Sequence, residues 1–181
     1  MKFQAKRRYD EGLTSSLDKS IILDTDIASA FAKINQLELL SQVLHQYSIF
    51  ITPRIYEELM VPLDFGYTYP LDIFDRINVL CPSLEEAKDY QLLILENRKL
   101  GKGELEAICI CKSRRYSFSS MDKAALRYAD AVGIETINLY SILRAFWESG
   151  ILLQKDVDGI IRALEDKDKI PIIDRNKIFD F

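Results

Sequence analysis

Acidic residues stand at four junctions between the strands and helices that the sequence predicts. The apolar run Ile21-Ile22-Leu23 ends in Asp24, a pattern typical of a buried strand that enters a helix. The other junctions carry Glu58 in the helix after the second strand, Glu104 directly after Gly103, and Asp122 at the end of a later strand. Because the ends of parallel strands and the helix starts that follow them converge on one edge of a sheet, these carboxylates are expected to meet.

Carboxylates gathered in one place favour a bound cation. Like charges at close range raise one another's pKa, so the group could not stay fully ionised without a compensating positive charge. Mg²⁺ and Mn²⁺ prefer oxygen ligands, and two such ions about 4 Å apart can activate a water and stabilise the leaving oxygen of a phosphodiester. The pattern therefore predicts a site for Mg²⁺ or Mn²⁺.

Alternating strands and helices must position these acids. Strands are predicted at residues 21–23, 48–52, 77–81, 117–121 and 134–138, with helical patterns between them. This alternation predicts an α/β protein in which helices cover both faces of a mainly parallel central sheet, a three-layer α/β/α fold. The expected organisation is a basic N-terminal extension (1–19), a catalytic core (20–140) and a C-terminal helical segment packed on that core (141–181).

Turn and capping residues set further expected boundaries. The helix after Asp24 is predicted to run through Leu40. Residues 61–75 contain two prolines, a glycine and two tyrosines and are expected to form a loop or short lid. Ser141 is predicted to cap the following helix.

Composition limits the class of protein. A chain of 181 residues, 48% of them hydrophobic, is long enough for one domain with a full core. No apolar run reaches the roughly 18 to 20 residues of a membrane span, and the first residues lack the apolar segment of a signal peptide, so a cytoplasmic protein is expected. The three cysteines form no Cys-x-x-Cys pair, and we expect them to be small apolar fillers. The net charge of −4 gives no general signal for nucleic-acid binding, which would require local basic patches or metal ions.

The motifs resemble those of the PIN-domain family of metal-dependent nucleases, which includes the VapC-like toxin components of bacterial and archaeal toxin–antitoxin pairs. The resemblance covers about residues 20–170, and its order and spacing are similar to a subgroup with a Gly-x-Gly-Glu signature. The matching segments are Ile21 to Asp26, Thr52-Pro53-Arg54-Ile55-Tyr56-Glu57-Glu58-Leu59, Leu100-Gly101-Lys102-Gly103-Glu104-Leu105-Glu106-Ala107, and Ser120-Met121-Asp122-Lys123.

This resemblance implies a function and a set of site residues. Asp24, Glu104 and Asp122 would hold the metal, and Glu58 would complete the cage or orient the water. Thr25 and Asp26 would lie beside the ion or support one of its ligands. The implied reaction is hydrolysis of single-stranded or structured RNA by a Mg²⁺- or Mn²⁺-activated water.

The resemblance also implies partners. RNA would contact basic residues near the site, for which the candidates are Arg54, Lys102, Lys123, Arg114 and Arg115. A cognate antitoxin is a possible protein partner, and a homodimer is expected, with Phe146 and Trp147 as candidate anchors of the contact.

Several alternatives stay open at the level of residues. Glu57 competes with Glu58 for the helix position, and Glu106, which we expect to be a solvated partner, could exchange roles with Glu104. Asp24, Asp26 and Asp122 could each simply cap a helix, and Glu104 is favoured near a helix start by the macrodipole alone. Met121 stands where the subgroup often has a second acid.

Two other functions are compatible with parts of the pattern. A haloacid-dehalogenase-like phosphatase also places Asp-x-Asp after an apolar strand and would use Asp24 as its nucleophile, but the Thr or Val expected two residues beyond the second acid is Ala28 here. A PIN-like scaffold without catalysis would bind RNA or protein and show no specific Mn²⁺ site.

Overall fold

The structure is a computed structural model that describes residues 19–180. The predicted basic N-terminal extension therefore lies outside the described residues, apart from Lys19, which begins the first strand. Within the described range, no helix is both long enough and apolar enough to span a bilayer.

Five parallel strands form one sheet in the order β3-β2-β1-β4-β5. The strands are β1 (Lys19–Leu23), β2 (Tyr47–Ile51), β3 (Asn78–Val79), β4 (Ser117–Ser119) and β5 (Thr136–Ile137). Strands β2 and β3 lie on one side of β1, and β4 and β5 lie on the other, so the strand order reverses at β1. The reversal creates a crevice between the carboxyl ends of β1 and β4, which is the usual ligand position in open parallel sheets.

Ten helices connect and cover the strands within the described range. They are α1 (Thr25–Lys33), α2 (Leu37–Val43), α3 (Pro53–Asp64), α4 (Tyr69–Arg76), α5 (Leu84–Glu96), α6 (Lys102–Arg114), α7 (Lys123–Ala131), α8 (Leu139–Glu148), α9 (Gln154–Asp168) and α10 (Asn176–Phe179). The parallel sheet flanked by helices confirms the predicted α/β architecture.

Continuous apolar sequence in β1 reflects burial on both faces of the sheet. Ile21, Ile22 and Leu23 are fully buried, as expected for a central parallel strand.

Phe31 of α1 meets Phe146 of α8 edge to face, with ring centroids 6.1 Å apart. Phe146 is therefore a core residue and does not anchor a contact between copies, and Trp147 donates its Nε1–H to the carbonyl of Ile178 at 2.7 Å.

The helix predicted to run from Asp24 through Leu40 is two helices. Helix α1 ends at Lys33, and Asn35 adopts a left-handed φ of 57° before α2 begins at Leu37. Asparagine tolerates this conformation better than most residues, so it breaks the helix without a glycine or proline to mark the break.

Residues 61–75 are largely helical, so the expected loop or lid was wrong. Helix α3 continues to Asp64 with Pro62 inside its last turn, and α4 begins at Tyr69 with Pro70 in its first turn. Proline is tolerated in a first helical turn because its missing N–H would be unpaired there. Only residues 65–68, which include Gly66 at φ 82°, connect the two helices.

Two smaller expectations also need correction. Helix α8 is capped by Asn138, whose side chain accepts the N–H of Ser141 at 2.9 Å, so Ser141 lies inside the helix. Among the cysteines, Cys111 is buried and Cys109 half-buried, as apolar fillers would be, but Cys81 is exposed.

Candidate active site

The Asp24 carboxylate lies in the crevice between β1 and β4. Its backbone N–H donates to the carbonyl of Ser119 at 2.8 Å, which joins the ends of the two strands. Its side chain caps α1 through the N–H of Thr25 and also accepts the hydroxyl of Ser120, both at 2.8 Å. With 5% of its surface exposed, Asp24 is held in one orientation at the base of the site.

Asp26 lies one residue further on and is also tied to β4. Its carboxylate accepts the N–H of Ile27 at 2.6 Å and the N–H of Met121 at 3.0 Å. Met121, the position where a second acid was expected from the resemblance, therefore contributes a backbone donor to the site.

Glu58 reaches the same place from α3. One carboxylate oxygen accepts the hydroxyl of Thr25 at 2.5 Å, and the other accepts the N–H of Gly103 at 3.2 Å. A Cβ atom at position 103 would lie only 2.9 Å from both Glu58 oxygens. The second glycine of the Gly-x-Gly-Glu segment thus leaves the space that the Glu58 carboxylate occupies.

Glu104 and Asp122 stand at helix starts. Glu104 accepts the N–H of Gly101 at 2.7 Å at the beginning of α6. Asp122 caps α7 by accepting the N–H groups of Ala124 and Ala125, and its own N–H donates to Ser120 Oγ at 3.0 Å. The capping roles considered for these acids are present, and the same acids face the crevice.

One cavity of about 580 Å³ joins the predicted acids. It is lined by the side chains of Asp24, Thr25, Asp26, Glu58, Glu104 and Asp122, and also by Ser29, Lys33, Tyr69, Lys99, Gly101 and Asp168. Asp24 and Asp122, which are 98 positions apart in the chain, thus line the same cavity. Six carboxylates and two lysines surround it.

Sequence reasoning missed three of the charged residues at this cavity, Lys33, Lys99 and Asp168. Asp168 is the last residue of α9, where no strand junction marks it, and Lys33 ends α1 two turns after the acids. Lys33 forms an ion pair with Asp168, and its Nζ lies 5.1 Å from the ring centroid of Tyr69. The helical period does place residue 33 on the face of residues 26 and 29, which is the one signal that could have indicated Lys33.

The acids of the cavity disfavour one another's ionisation. Burial raises the pKa of Asp24 well above its usual range, and the neighbouring charge of Asp26 raises it further. Burial also raises the pKa of Asp26 and of Glu104, with the charge of Asp122 contributing to both. A cation in the cavity would relieve this repulsion.

The donor set suits a hard divalent cation in its chemistry, since it consists of carboxylate and hydroxyl oxygens. Within residues 19–180, however, no three acidic, histidine or cysteine side chains converge closely enough to hold an ion as they stand. Glu104 and Glu58 are turned toward the N–H groups of Gly101 and Gly103. Both are long side chains with several rotatable bonds, so metal binding would need them to exchange these partners for the ion.

The structure separates the alternative acids. Glu57 lies on the surface of α3 and pairs with Arg54 at 2.7 Å, so Glu58 is the residue at the cavity. Glu106 is 5% exposed and accepts the backbone N–H of Arg54 at 2.8 Å, which contradicts the expectation of a solvated residue. Glu106 thus stabilises the start of α3 and does not line the cavity.

The predicted basic contacts are spread over the molecule. Lys102 and Lys123 are exposed in the first turns of α6 and α7, next in sequence to site residues. Arg114 binds the buried Glu86 through two nitrogens at 2.8 and 2.6 Å, and with Arg115 it lies about 15 Å along α6 from Glu104. None of these four, and not Arg54, lines the acidic cavity.

The chain belongs to the PIN-domain family, since the model of a PIN-domain family matches residues 20–172. The structure of VapBC-1 from nontypeable Haemophilus influenzae is similar, with a TM-score of 0.51 and 17% identity over 65% of this chain and 96% of that chain. The structure of VapBC2 from Rickettsia felis bound to a DNA fragment from their promoter gives a TM-score of 0.48 and 18% identity, over 65% and 97%. At these identities the likeness concerns the fold. No curated protein matches the chain.

Proposed function

We propose that this protein is a metal-dependent ribonuclease that hydrolyses RNA phosphodiester bonds with Mg²⁺ or Mn²⁺. The observation that supports it best is the gathering of six carboxylates around one cavity at the crevice between β1 and β4 in a PIN-domain chain. A substrate phosphate is itself an anion, and it would enter this negatively charged cavity only with a cation to bridge the two.

Asp24, Glu104 and Asp122 would hold the cation. When bound, the ion supplies a positive charge that lowers the pKa of an attacking water and stabilises the charge that develops on the phosphate. Asp24 is pre-oriented for this role by Thr25 and Ser120, which lock its carboxylate before any ligand arrives.

Glu58 would orient the attacking water and accept its proton. Its carboxylate is positioned by two donors on different elements, the hydroxyl of Thr25 and the N–H of Gly103. Lys33 and Lys99 supply the cationic side chains of the cavity and would contact the phosphate backbone. Lys102 and Lys123, exposed on the adjacent helix starts, would extend that contact.

The proposal includes the partners and the location of the protein. A toxin with a cognate antitoxin is consistent with the fold likeness to VapBC-1, and we propose a cytoplasmic protein that acts as a homodimer. Phe146 cannot form the dimer contact, which would instead use exposed apolar residues such as Leu92 and Leu95 of α5.

A non-catalytic scaffold is the second candidate. It is favoured by the lack of convergence of three ligating side chains among the described residues. Calorimetric titration with Mn²⁺ separates the two, because the nuclease requires a saturable site that Asp24→Asn removes, and the scaffold requires none. The phosphatase is disfavoured because Ala28 stands where that class has Thr or Val and because a PIN-domain model matches the chain.

The direct test is incubation of the protein with a mixed RNA pool in Mn²⁺ or in chelator. Glu58→Gln and Glu104→Gln should abolish Mn²⁺-dependent cleavage. Glu57→Gln is a matched control, since it removes the same charge one residue away on the solvent side of α3. Cleavage that survives chelation, or that survives Glu104→Gln, would contradict the proposal.

A further inference from the structure

A second cleft of about 720 Å³ opens beside the acidic cavity. Its walls come from the end of α1, the end of α3, the connection from α3 to α4, and the last turn of α9. Lys33 and Tyr69 line both spaces, so the cleft lies directly next to the acidic cavity. A chain-like ligand bound in the cavity would reach the cleft by passing Lys33 and Tyr69.

Three aromatic rings line this cleft, and two of them are unusually exposed. Phe65 is 76% exposed and Tyr67 is 61% exposed, on either side of the Gly66 turn. The rings of Tyr67 and Tyr69 lie 6.4 Å apart between centroids and are tilted by 57°. Large rings left in water at the mouth of a cleft are available to stack on a flat ligand.

Two cationic side chains accompany the rings. Lys33 lies over Tyr69, and Lys167, exposed on α9, also lines the cleft. No carboxylate lines this cleft in the described part of the chain, in contrast to the six around the adjacent cavity. Because Lys33 is already paired with Asp168, Lys167 brings the positive charge that an anionic ligand in the cleft would meet without help from a metal.

We propose that this cleft is a subsite for single-stranded RNA, in which a base next to the scissile phosphate stacks on Tyr67 and Phe65 while Lys167 contacts the backbone. The proposal rests on the nuclease function and adds to it a requirement for an unpaired nucleotide at this side of the cut. Stacking on aromatic rings tolerates any base, so the subsite selects for single strands and not for sequence.

The test uses binding without cleavage. A fluorescein-labelled single-stranded oligouridylate is titrated in chelator with the full chain, and the dissociation constant is read from fluorescence anisotropy. Tyr67→Ala should weaken binding by about 5- to 150-fold, the range for loss of one stacked base. Tyr67→Phe, which keeps the ring, should bind normally, and Lys167→Gln should reduce the salt dependence of binding by the equivalent of about one phosphate contact.

Two controls make the result specific. Leu84→Ala removes an apolar side chain that is 84% exposed at the start of α5 and lines neither space, and it should bind RNA as the parent does. A fully abasic oligonucleotide of the same length should bind the parent weakly and should be insensitive to Tyr67→Ala.

Other outcomes overturn the proposal. If Tyr67→Ala leaves RNA affinity unchanged but converts a dimer to a monomer in sedimentation velocity, the cleft is a contact between copies. If affinity and assembly are both unchanged, the rings have no role in binding. Failure of the nuclease proposal gives a different result. If RNA binding depends on Tyr67 but no RNA is cleaved in Mn²⁺, the subsite proposal stands and the nuclease proposal is wrong.

Discussion

Gly103→Ala should abolish the proposed nuclease activity while leaving the protein folded. The new Cβ would lie 2.9 Å from both Glu58 oxygens and 3.1 Å from the carboxyl carbon, closer than real Cβ contacts occur. The atoms in the way are the end of a flexible side chain, so Glu58 can move and the backbone can stay. Moving it breaks the bonds to Gly103 N–H and Thr25 Oγ1, which together position the carboxylate.

The expected stability change is small because two effects oppose each other. Loss of hydrogen bonds to a carboxylate near the surface costs about 1 to 2 kcal/mol, and replacing glycine by alanine in the first turn of α6 returns up to about 1 kcal/mol. Activity should respond much more strongly, since a catalytic group displaced by about 1 Å can cost about 100-fold in rate. We therefore expect a loss of about 100-fold in Mn²⁺-dependent RNA cleavage with a change in unfolding free energy of about 1 kcal/mol.

Gly101→Ala provides the comparison within the same motif. A Cβ at position 101 would meet the Glu104 carboxylate at 3.5 Å, an ordinary contact, so this variant should keep most of its activity. The double variant Gly103→Ala with Glu58→Gln should be no less active than Glu58→Gln alone, because both changes act through Glu58. Equal losses for the two glycine variants, or full activity of Gly103→Ala, would refute the reasoning.

Three further predictions concern charge and backbone. Asp24→Asn should abolish cleavage while leaving the melting temperature unchanged or higher. Burial and the charge of Asp26 both raise the pKa of Asp24, so the variant removes a carboxylate that is costly to ionise. A fall in melting temperature would indicate a structural role. The hydrogen bond from Arg114 lowers the pKa of Glu86 from 4.5 to about 2, so this pair stabilises the fold above pH 4.5, and the contribution of about 2 to 3 kcal/mol is lost as the pH falls toward 2. Urea unfolding between pH 7 and 3 should show this slope, and Glu86→Gln should flatten it. Gly159→Ala should raise the unfolding free energy by about 0.5 to 1 kcal/mol, because alanine is the better helix former in the middle of α9 and its Cβ would have no atom within 4 Å to clash with. Chemical denaturation measures this change.

The sequence predicts those site residues that lie at junctions between strands and helices. Asp24 and Asp122 end strands that pair with each other, and parallel topology alone brings such positions together. Glu58 could be distinguished from Glu57 only in the structure, since adjacent residues of a helix point about 100° apart and the sequence does not state which direction faces the sheet. Asp168 depends on how α9 packs against α1, a tertiary contact with no local pattern.

The boundaries that failed share a physical cause. Pro62 and Pro70 indicated a break, but Pro70 lies in a first helical turn, where its missing N–H would be unpaired, and Pro62 removes one backbone hydrogen bond only two residues before α3 ends. Asn35 produces a real break by adopting a left-handed conformation, which nothing in the neighbouring apolar pattern announces. Local sequence therefore indicates the region in which a helix ends, and tertiary packing decides the residue at which it ends.

Helix capping and metal binding are not competing roles for these acids. Asp24 and Asp122 accept N–H groups at the starts of α1 and α7, so the protein supplies donors that fix each carboxylate in the absence of an ion. Glu104 is held in the same manner by Gly101, but through a longer side chain that can rotate away. Asp24 and Asp122 would therefore define where a cation is bound. Glu104 would become a ligand by giving up its hydrogen bond from the N–H of Gly101. Under the proposed function, this division would let the fold keep six carboxylates around one cavity and remain stable until an ion binds.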